Sequence, residues 1–239
     1  MSLSERYFER AHQLLGDIET GEMGNIHRAA AEIARSIKDG GILHLFGSGH
    51  SAIPTQEVYI RAGSLTNALP LSLDRILDTF ERIEGTGAAL MGRFTGQKGE
   101  VLIVLSNSGV NPLPIEVASI GKERGLFTIG ISSYEHSLNV SPKHSSGKRL
   151  MDVVDLSIDS HVPYGDAGLA VEGLPMNIGP LSTLAGVSIV NAIIAQTIED
   201  LMKLGEDPPV RISRNLPGGD ENNRRLIERY GGRIPELRY

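Results

Sequence analysis

HLFGSGHS (residues 44–51) and VLSNSGVNPLP (residues 104–114) are built alike, and their reading decides the fold. Each starts as an apolar strand, passes into small polar residues and continues into a helical pattern. In the first, Gly47 and Gly49 let the backbone turn sharply around Ser48, and Ser51 stands where the next helix begins, offering a hydroxyl and exposed N–H groups. In the second, Ser106 and Ser108 flank Asn107, Gly109 removes a side chain, and Asn111 precedes Pro112 at a first helical position. Two strands that end in such loops place both at the carboxyl edge of a parallel sheet, where open α/β sheets bind their ligands. The result is a cradle of hydroxyls and N–H dipoles with no fixed positive charge, a chemistry suited to a phosphate monoester.

Outward from these loops the chain alternates short strands with helix-length segments. Strands are expected over residues 42–46, 65–71, 100–105, 126–131 and 151–158, and helices over 52–62, 112–124 and from Ser182 to a stop at Gly205. Helix-length connections between strands require crossovers, so the economical architecture is α/β: a three-layer α-β-α sandwich around a mostly parallel, doubly wound sheet. Before it, apolar residues at helical spacing from Leu3 to Ile18 and again from Met23 to Ile37 read as two helices separated at Thr20 and Gly21. Residues 1–40 are thus an N-terminal helical segment, 41–205 the α/β core, and 206–239 a charged, proline- and glycine-punctuated appendage with one short helix near Asn222 to Tyr230. The appendage's arginines, offset by Asp220, Glu221 and Glu228, read as a packed or oligomer-facing tail.

A chain of 239 residues buries roughly 70% of its unfolded surface in one core, which leaves no room for a second large domain. Its apolar stretches are short or interrupted, as by Ser188 and Asn191, and fall short of the roughly 20 residues a membrane span needs. MSLSERYFER at the start has no apolar signal core. The absence of cysteine excludes disulfides, thiolate nucleophiles and thiolate-held zinc, and fits the cytoplasm. A net charge of -6 argues against a nucleic-acid partner.

The first loop lacks the third glycine of a dinucleotide fingerprint, and neither loop is followed by the Gly-Lys-Ser/Thr of a nucleoside-triphosphate loop, so no nucleotide cofactor is expected. No metal-ligand spacing and no Gly-x-Ser-x-Gly elbow occur, so no metal site is expected either. The sequence resembles the sugar isomerase (SIS) family. Gly47, Gly49 and Ser51 match the family's Gly-x-Gly-x-Ser after the first strand; Ser106, Ser108 and Gly109 match its Ser-x-Ser-Gly-x-Thr, with Asn111 where threonine is usual. GPLSTLAGVSIVNAI resembles the turn and long helix that complete the domain. Within the family the chain is similar to bacterial proteins that themselves resemble phosphoheptose isomerases. The resemblance implies a doubly wound parallel sheet, phosphosugar binding, and homodimers or homotetramers with active sites at subunit boundaries.

Aldose–ketose conversion needs a base for the proton beside the carbonyl and a group that moves protons between two oxygens, roles for carboxylate and imidazole. Glu57 lies six residues beyond Ser51, about 9 Å along a helix axis, the distance of a base acting on the far end of a sugar. His50 sits inside the glycine turn. His161 belongs to SHVPYGDAG, a stretch placed to close over a ligand, and Glu172 precedes the final long helix. These four are the candidate catalytic residues. Arg82 and Glu84 form a candidate hydroxyl-binding pair reached from the long segment after Leu71, while His44, alternating with Leu43 and Leu45, reads as a satisfied buried histidine. The leading function is a phosphosugar isomerase; the alternatives are a lyase or etherase of amino-sugar phosphates and a non-catalytic phosphosugar sensor or structural module.

Overall fold

Five short strands, apolar because helices cover both of their faces, form a sheet of order β2-β1-β3-β4-β5 in which every neighbouring pair is parallel: β1 (Leu43–Gly47), β2 (Ala68–Pro70), β3 (Val101–Leu105), β4 (Phe127–Ser132) and β5 (Leu156–Asp159). The computed structural model describes residues 1–71 and 79–238; residues 72–78, in the segment after Leu71, and Tyr239, at the end of the appendage, lie outside the described residues. From β1 the chain winds one way to β2, then crosses to β3 and proceeds the other way to β5. The crevice between the carboxyl ends of β1 and β3 is therefore the topological switch point.

Side-chain alternation divides the sheet between two helical layers. Leu43, Leu45, Val101, Ile103, Leu105, Ile129, Ile131, Leu156 and Ile158 pack on α1 (Leu3–Lys38) and α7 (Ser182–Lys203). Phe46, Leu102 and Val104 face the opposite layer, with Met91 of α3 (Thr86–Met91) and Leu113, Val117 and Ala118 of α4 (Pro112–Glu123). By length and composition α7 is apolar enough to cross a bilayer. Here it is a core helix, with Ala185, Ile189, Val190, Ile193 and Ile194 buried against α1 and the sheet.

The expected helical N-terminus is present, but as one 36-residue helix where two were expected. A helix-interior glycine costs about 1 kcal/mol relative to alanine, and Gly16, Gly21 and Gly24 all lie inside α1. Burial of Leu14, Ile18, Ile26, Ile33 and Ile37 outweighs that cost. Gly21 does not break the helix, and the space beside it is taken by His161, whose Nε2 would lie 2.9 Å from an added β-carbon. Ser2 and Glu5 close the start of the helix with a reciprocal capping box, and Gly40, at φ +85°, follows its end.

Two further expectations change, and a hairpin is added. The helix expected over 52–62 ends as α2 (Ala52–Glu57), because Ile60 adopts φ +49° and the chain turns to bond the appendage, Thr66 N–H donating to Pro209 O at 2.8 Å. The strand expected from Met151 starts as a helical turn, α6 (Leu150–Val153), where the Asp152 carboxylate accepts from Arg149 N–H at 2.7 Å; extended structure begins only at Leu156. An antiparallel hairpin, β6 (Ala167–Leu169) with β7 (Ile178–Pro180), precedes α7 and is held to α1 by Arg6 donating to Ala170 O and Tyr7 Oη donating to Pro180 O. The appendage forms α8 (Gly219–Tyr230) and a turn at Pro235–Arg238. Leu226, Tyr230, Ile234 and Leu237 pack on Ile42 and Leu69, covering the side of the sheet where β2 is the edge strand.

Candidate functional site

Gly47 has no alternative at the end of β1: an added β-carbon would lie 2.0 Å from Ser51 O, because residues 48–51 fold back as one tight turn closed by Ser51 N–H to Ser48 O at 3.0 Å. Ser51 has helical backbone angles and its hydroxyl makes no cap bond, so this side chain is not spent on its own helix. In the second loop Gly109, at φ +64°, packs against Ser132 and Ser137, and its N–H donates to Ser106 Oγ at 3.2 Å. Asn111 occupies the N-cap position of α4 without capping it.

The two loops meet in a narrow crevice of about 20 Å³, roughly the room of one water. Its lining includes His50, Ser51, Ser106, Asn107, Ser132, Ser160, Ser182 and Thr183. Serine marks the carboxyl ends of β1, β3, β4 and β5: Ser48 follows β1, Ser106 follows β3, Ser132 ends β4 and Ser160 follows β5. Ser132 and Ser160 are buried, and their hydroxyls, like Asn107 Oδ1, have no hydrogen-bond partner among the described residues. These are three of fourteen unpaired buried side-chain atoms among the described residues, and they converge on one crevice, where they are free to bond a ligand. Sequence reasoning missed Ser132, Ser160 and Thr183. The signal available for the first two was the recurrence of serine at the end of successive strands.

It also missed Glu81. This side chain reaches the switch point from the segment between β2 and α3: Oε2 accepts from Ser48 Oγ at 2.6 Å and Oε1 from Asn111 Nδ2 at 2.5 Å. Its short turn, Phe80–Arg82, is pinned by Thr86 Oγ1 donating to Phe80 O and Ile83 O. Glu116 of α4 in turn accepts the N–H groups of Gly85 and Gly87. A second carboxylate, Asp166 (φ +72°), accepts from Leu181 N–H, Ser182 N–H and Ser182 Oγ, and so occupies the N-terminus of α7.

Of the four candidate catalytic residues, His50, exposed at the rim, lines the crevice; the other three do not. Glu57 pairs with Arg61 at 3.1 Å. His161, at φ +52°, turns its ring toward α1, between Glu22 at 3.6 Å and Asp159 at 3.8 Å. Glu172 is exposed in the β6–β7 connection. Arg82 is exposed, and Glu84 turns away to Ser145, accepting from its N–H and hydroxyl, which hold this carboxyl below its ordinary range. SHVPYGDAG is tied down, with Tyr164 N–H donating to Glu135, Gly165 N–H to His136 Nδ1 and Ser133 Oγ to Val162 O. Burial pushes the His136 imidazole below its usual range. No three His, Asp or Glu side chains converge as metal ligands among the described residues.

A larger cavity, about 920 Å³, lies elsewhere, lined by His44, Phe94, Arg93 and Arg233 among others. At its wall the buried Glu100 carboxylate accepts from His44 Nε2 at 2.8 Å, Arg233 Nη1 at 2.5 Å, Ile42 N–H at 2.9 Å and Gln97 N–H at 2.8 Å. Burial works to raise this carboxyl, but the His44, Arg233 and Gln97 hydrogen bonds hold it down to about 2. His44 is the buried, partnered histidine its strand position implied.

The sheet order and its helical layers are matched by a family model, "SIS domain", over residues 6–133. The chain belongs to the SIS-domain family. It is 38% identical to a UPF0309 protein of Halalkalibacterium halodurans, covering 97% of this chain and 96% of that one, and 38% identical to another of Geobacillus kaustophilus, again over 97% and 96%. Among solved structures, phosphoheptose isomerase GmhA of Neisseria gonorrhoeae superposes with a TM-score of 0.56 at 16% identity, covering 83% of this chain and 100% of that one. The c3406 protein of E. coli CFT073, in complex with a phosphorylated sugar, gives 0.55 at 18%, over 84% and 90%, and Vibrio vulnificus NanR complexed with ManNAc-6P gives 0.54 at 14%, over 85% and 67%.

Proposed function

We propose that this protein binds a phosphorylated sugar at the carboxyl edge of its sheet and interconverts its aldose and ketose forms. The observation that carries the reading is the crevice of strand-end serines at the switch point, with the buried hydroxyls of Ser132 and Ser160 and Asn107 Oδ1 unpartnered among the described residues. Family membership supports it, as do the phosphosugars bound by the E. coli and Vibrio proteins of the same fold. The phosphate docks on Ser51, Ser106, Asn107 and Ser108, with Gly47, Gly49 and Gly109 keeping the backbone close. His50, at the rim, moves the proton between the two sugar oxygens.

Abstraction of the proton beside the carbonyl falls to a carboxylate. Glu57, which does not line the crevice of its own chain, supplies it to a neighbouring subunit's site. His161 and Glu172 are the remaining candidates for these steps. Assembly as a homodimer or homotetramer is supported by exposed Phe8 and Met23 on α1 and Met202 on α7. The setting is cytoplasmic, without nucleic-acid or membrane partners. The test is incubation with aldose and ketose phosphates in deuterated water: deuterium appears at the carbon beside the carbonyl, and Glu57→Gln abolishes its incorporation. Tight binding with no exchange for any sugar phosphate would leave a sensor in place of an enzyme.

A further inference from the structure

Both oxygens of Glu81 accept hydrogen bonds, from Ser48 Oγ and Asn111 Nδ2, and among the described residues no cationic side chain is bonded to them. An amide NH₂ only donates, so the oxygen facing it is an acceptor, and the carboxylate form satisfies both contacts. This charge stands at the switch point one tight turn from the crevice, since Ser48 and Ser51 close the same turn. It takes up the two side chains, Ser48 and Asn111, that would otherwise extend the anion cradle toward α4. At the other limit of the crevice Asp166 does the same, holding the N–H groups of Leu181 and Ser182 that would attract an anion to α7. The donors left for a phosphate are those between these carboxylates.

Resting on the phosphosugar reading above, we infer that Glu81 sets the substrate class: sugars with one anionic group, the phosphate, and with hydroxyls or an ammonium at the remote end. A hydroxyl or ammonium donates to the carboxylate where Ser48 or Asn111 does now. A second anion there meets a like charge in a partly buried setting and finds its donors already engaged. Sugar phosphates bearing a carboxylate, including carboxyl-bearing ethers of amino sugars, are excluded, which sets the etherase alternative aside.

The experiment is calorimetric titration of the full-length protein with phosphates matched in length. Fructose 6-phosphate, glucosamine 6-phosphate and 6-phosphogluconate form a six-carbon set; arabinose 5-phosphate and 5-phosphoarabinonate form a five-carbon pair. The expected result is that neutral and ammonium sugars bind at least about tenfold more tightly than the acids. Glu81→Gln should bring that ratio to within about threefold and remove any advantage of the amine. Glu81→Ala repeats the measurement if the glutamine variant fails to fold by circular dichroism. Equal or tighter binding of the acids by the wild type, or an unchanged ratio in the folded variants, overturns the inference while the phosphosugar reading stands. If the folded wild type binds no sugar phosphate in either set, the reading falls and this inference falls with it.

Discussion

Strand β3 carries a polar cluster at each end, and the two are built on opposite principles. At the amino end Glu100, immediately before the strand, is 3% exposed, and each of its oxygens accepts two hydrogen bonds, from His44, Arg233, Ile42 and Gln97. At the carboxyl end Ser106 and Asn107, immediately after the strand, open onto a crevice where Asn107 Oδ1 and the hydroxyls of Ser132 and Ser160 bond nothing among the described residues. A charge in the interior is tolerated only when its partners are complete. The Glu100 cluster has that completeness and lends itself to holding the appendage on the sheet. The serine edge is incomplete at the one place where the topology of an open sheet leaves a ligand crevice. Unpaired groups such as Ser36 Oγ and Tyr230 Oη also occur away from the crevice among the described residues, so it is the convergence of three of them at the switch point that marks the site.

The strongest way to break this contrast is Glu100→Gln. One face of the glutamine amide donates where the carboxylate accepted, leaving some of the four donors opposed or unpaired, so unfolding stability should fall by about 3 to 5 kcal/mol in urea titration. Sugar-phosphate affinity of the remaining folded protein should not change. A loss below about 1 kcal/mol would show that the cluster is not structural.

The same cluster predicts a pH dependence. Its folded-state value of about 2 lies below that of an ordinary carboxyl. The stabilisation is therefore complete above the unfolded-state value, from about pH 5 upward, and is lost as pH falls toward 2; it amounts to about 3 kcal/mol. Urea midpoints measured between about pH 3 and pH 7 should show this slope in the wild type and a shallower one in Glu100→Gln.

The smallest effect on stability is expected at the other end of β3. Ser132→Ala and Ser160→Ala remove hydroxyls that have no partner among the described residues, so each should change stability by no more than about 0.5 kcal/mol. Each should weaken sugar-phosphate binding by about 1 to 3 kcal/mol in calorimetry. Stability loss without affinity loss would reverse the assignment of the two ends.

How much of this was legible in the chain differs by element. HLFGSGHS and VLSNSGVNPLP carried the parallel sheet and the two loops, because strand, turn glycine and helix start are neighbours in sequence. His44 was legible too, since strand alternation put it opposite Leu43 and Leu45. Its partner was not: Glu100 lies 56 residues away, and the Arg233 that bonds Glu100 in turn lies 133 residues beyond it. Gly21 read as a break because local propensity is blind to His161, which fills the space a β-carbon would need. Arg82 and Glu84 drew attention to the right segment, yet its short turn aims Glu81 at the switch point and Glu84 at Ser145.

Local chemistry alone thus determined the fold class and the serine-and-glycine composition of the cradle. Only the tertiary structure decided which polar groups are already engaged and which are left open. Hydrogen-bond completeness is a sum over partners that packing brings together from distant parts of the chain, and no local pattern contains that sum.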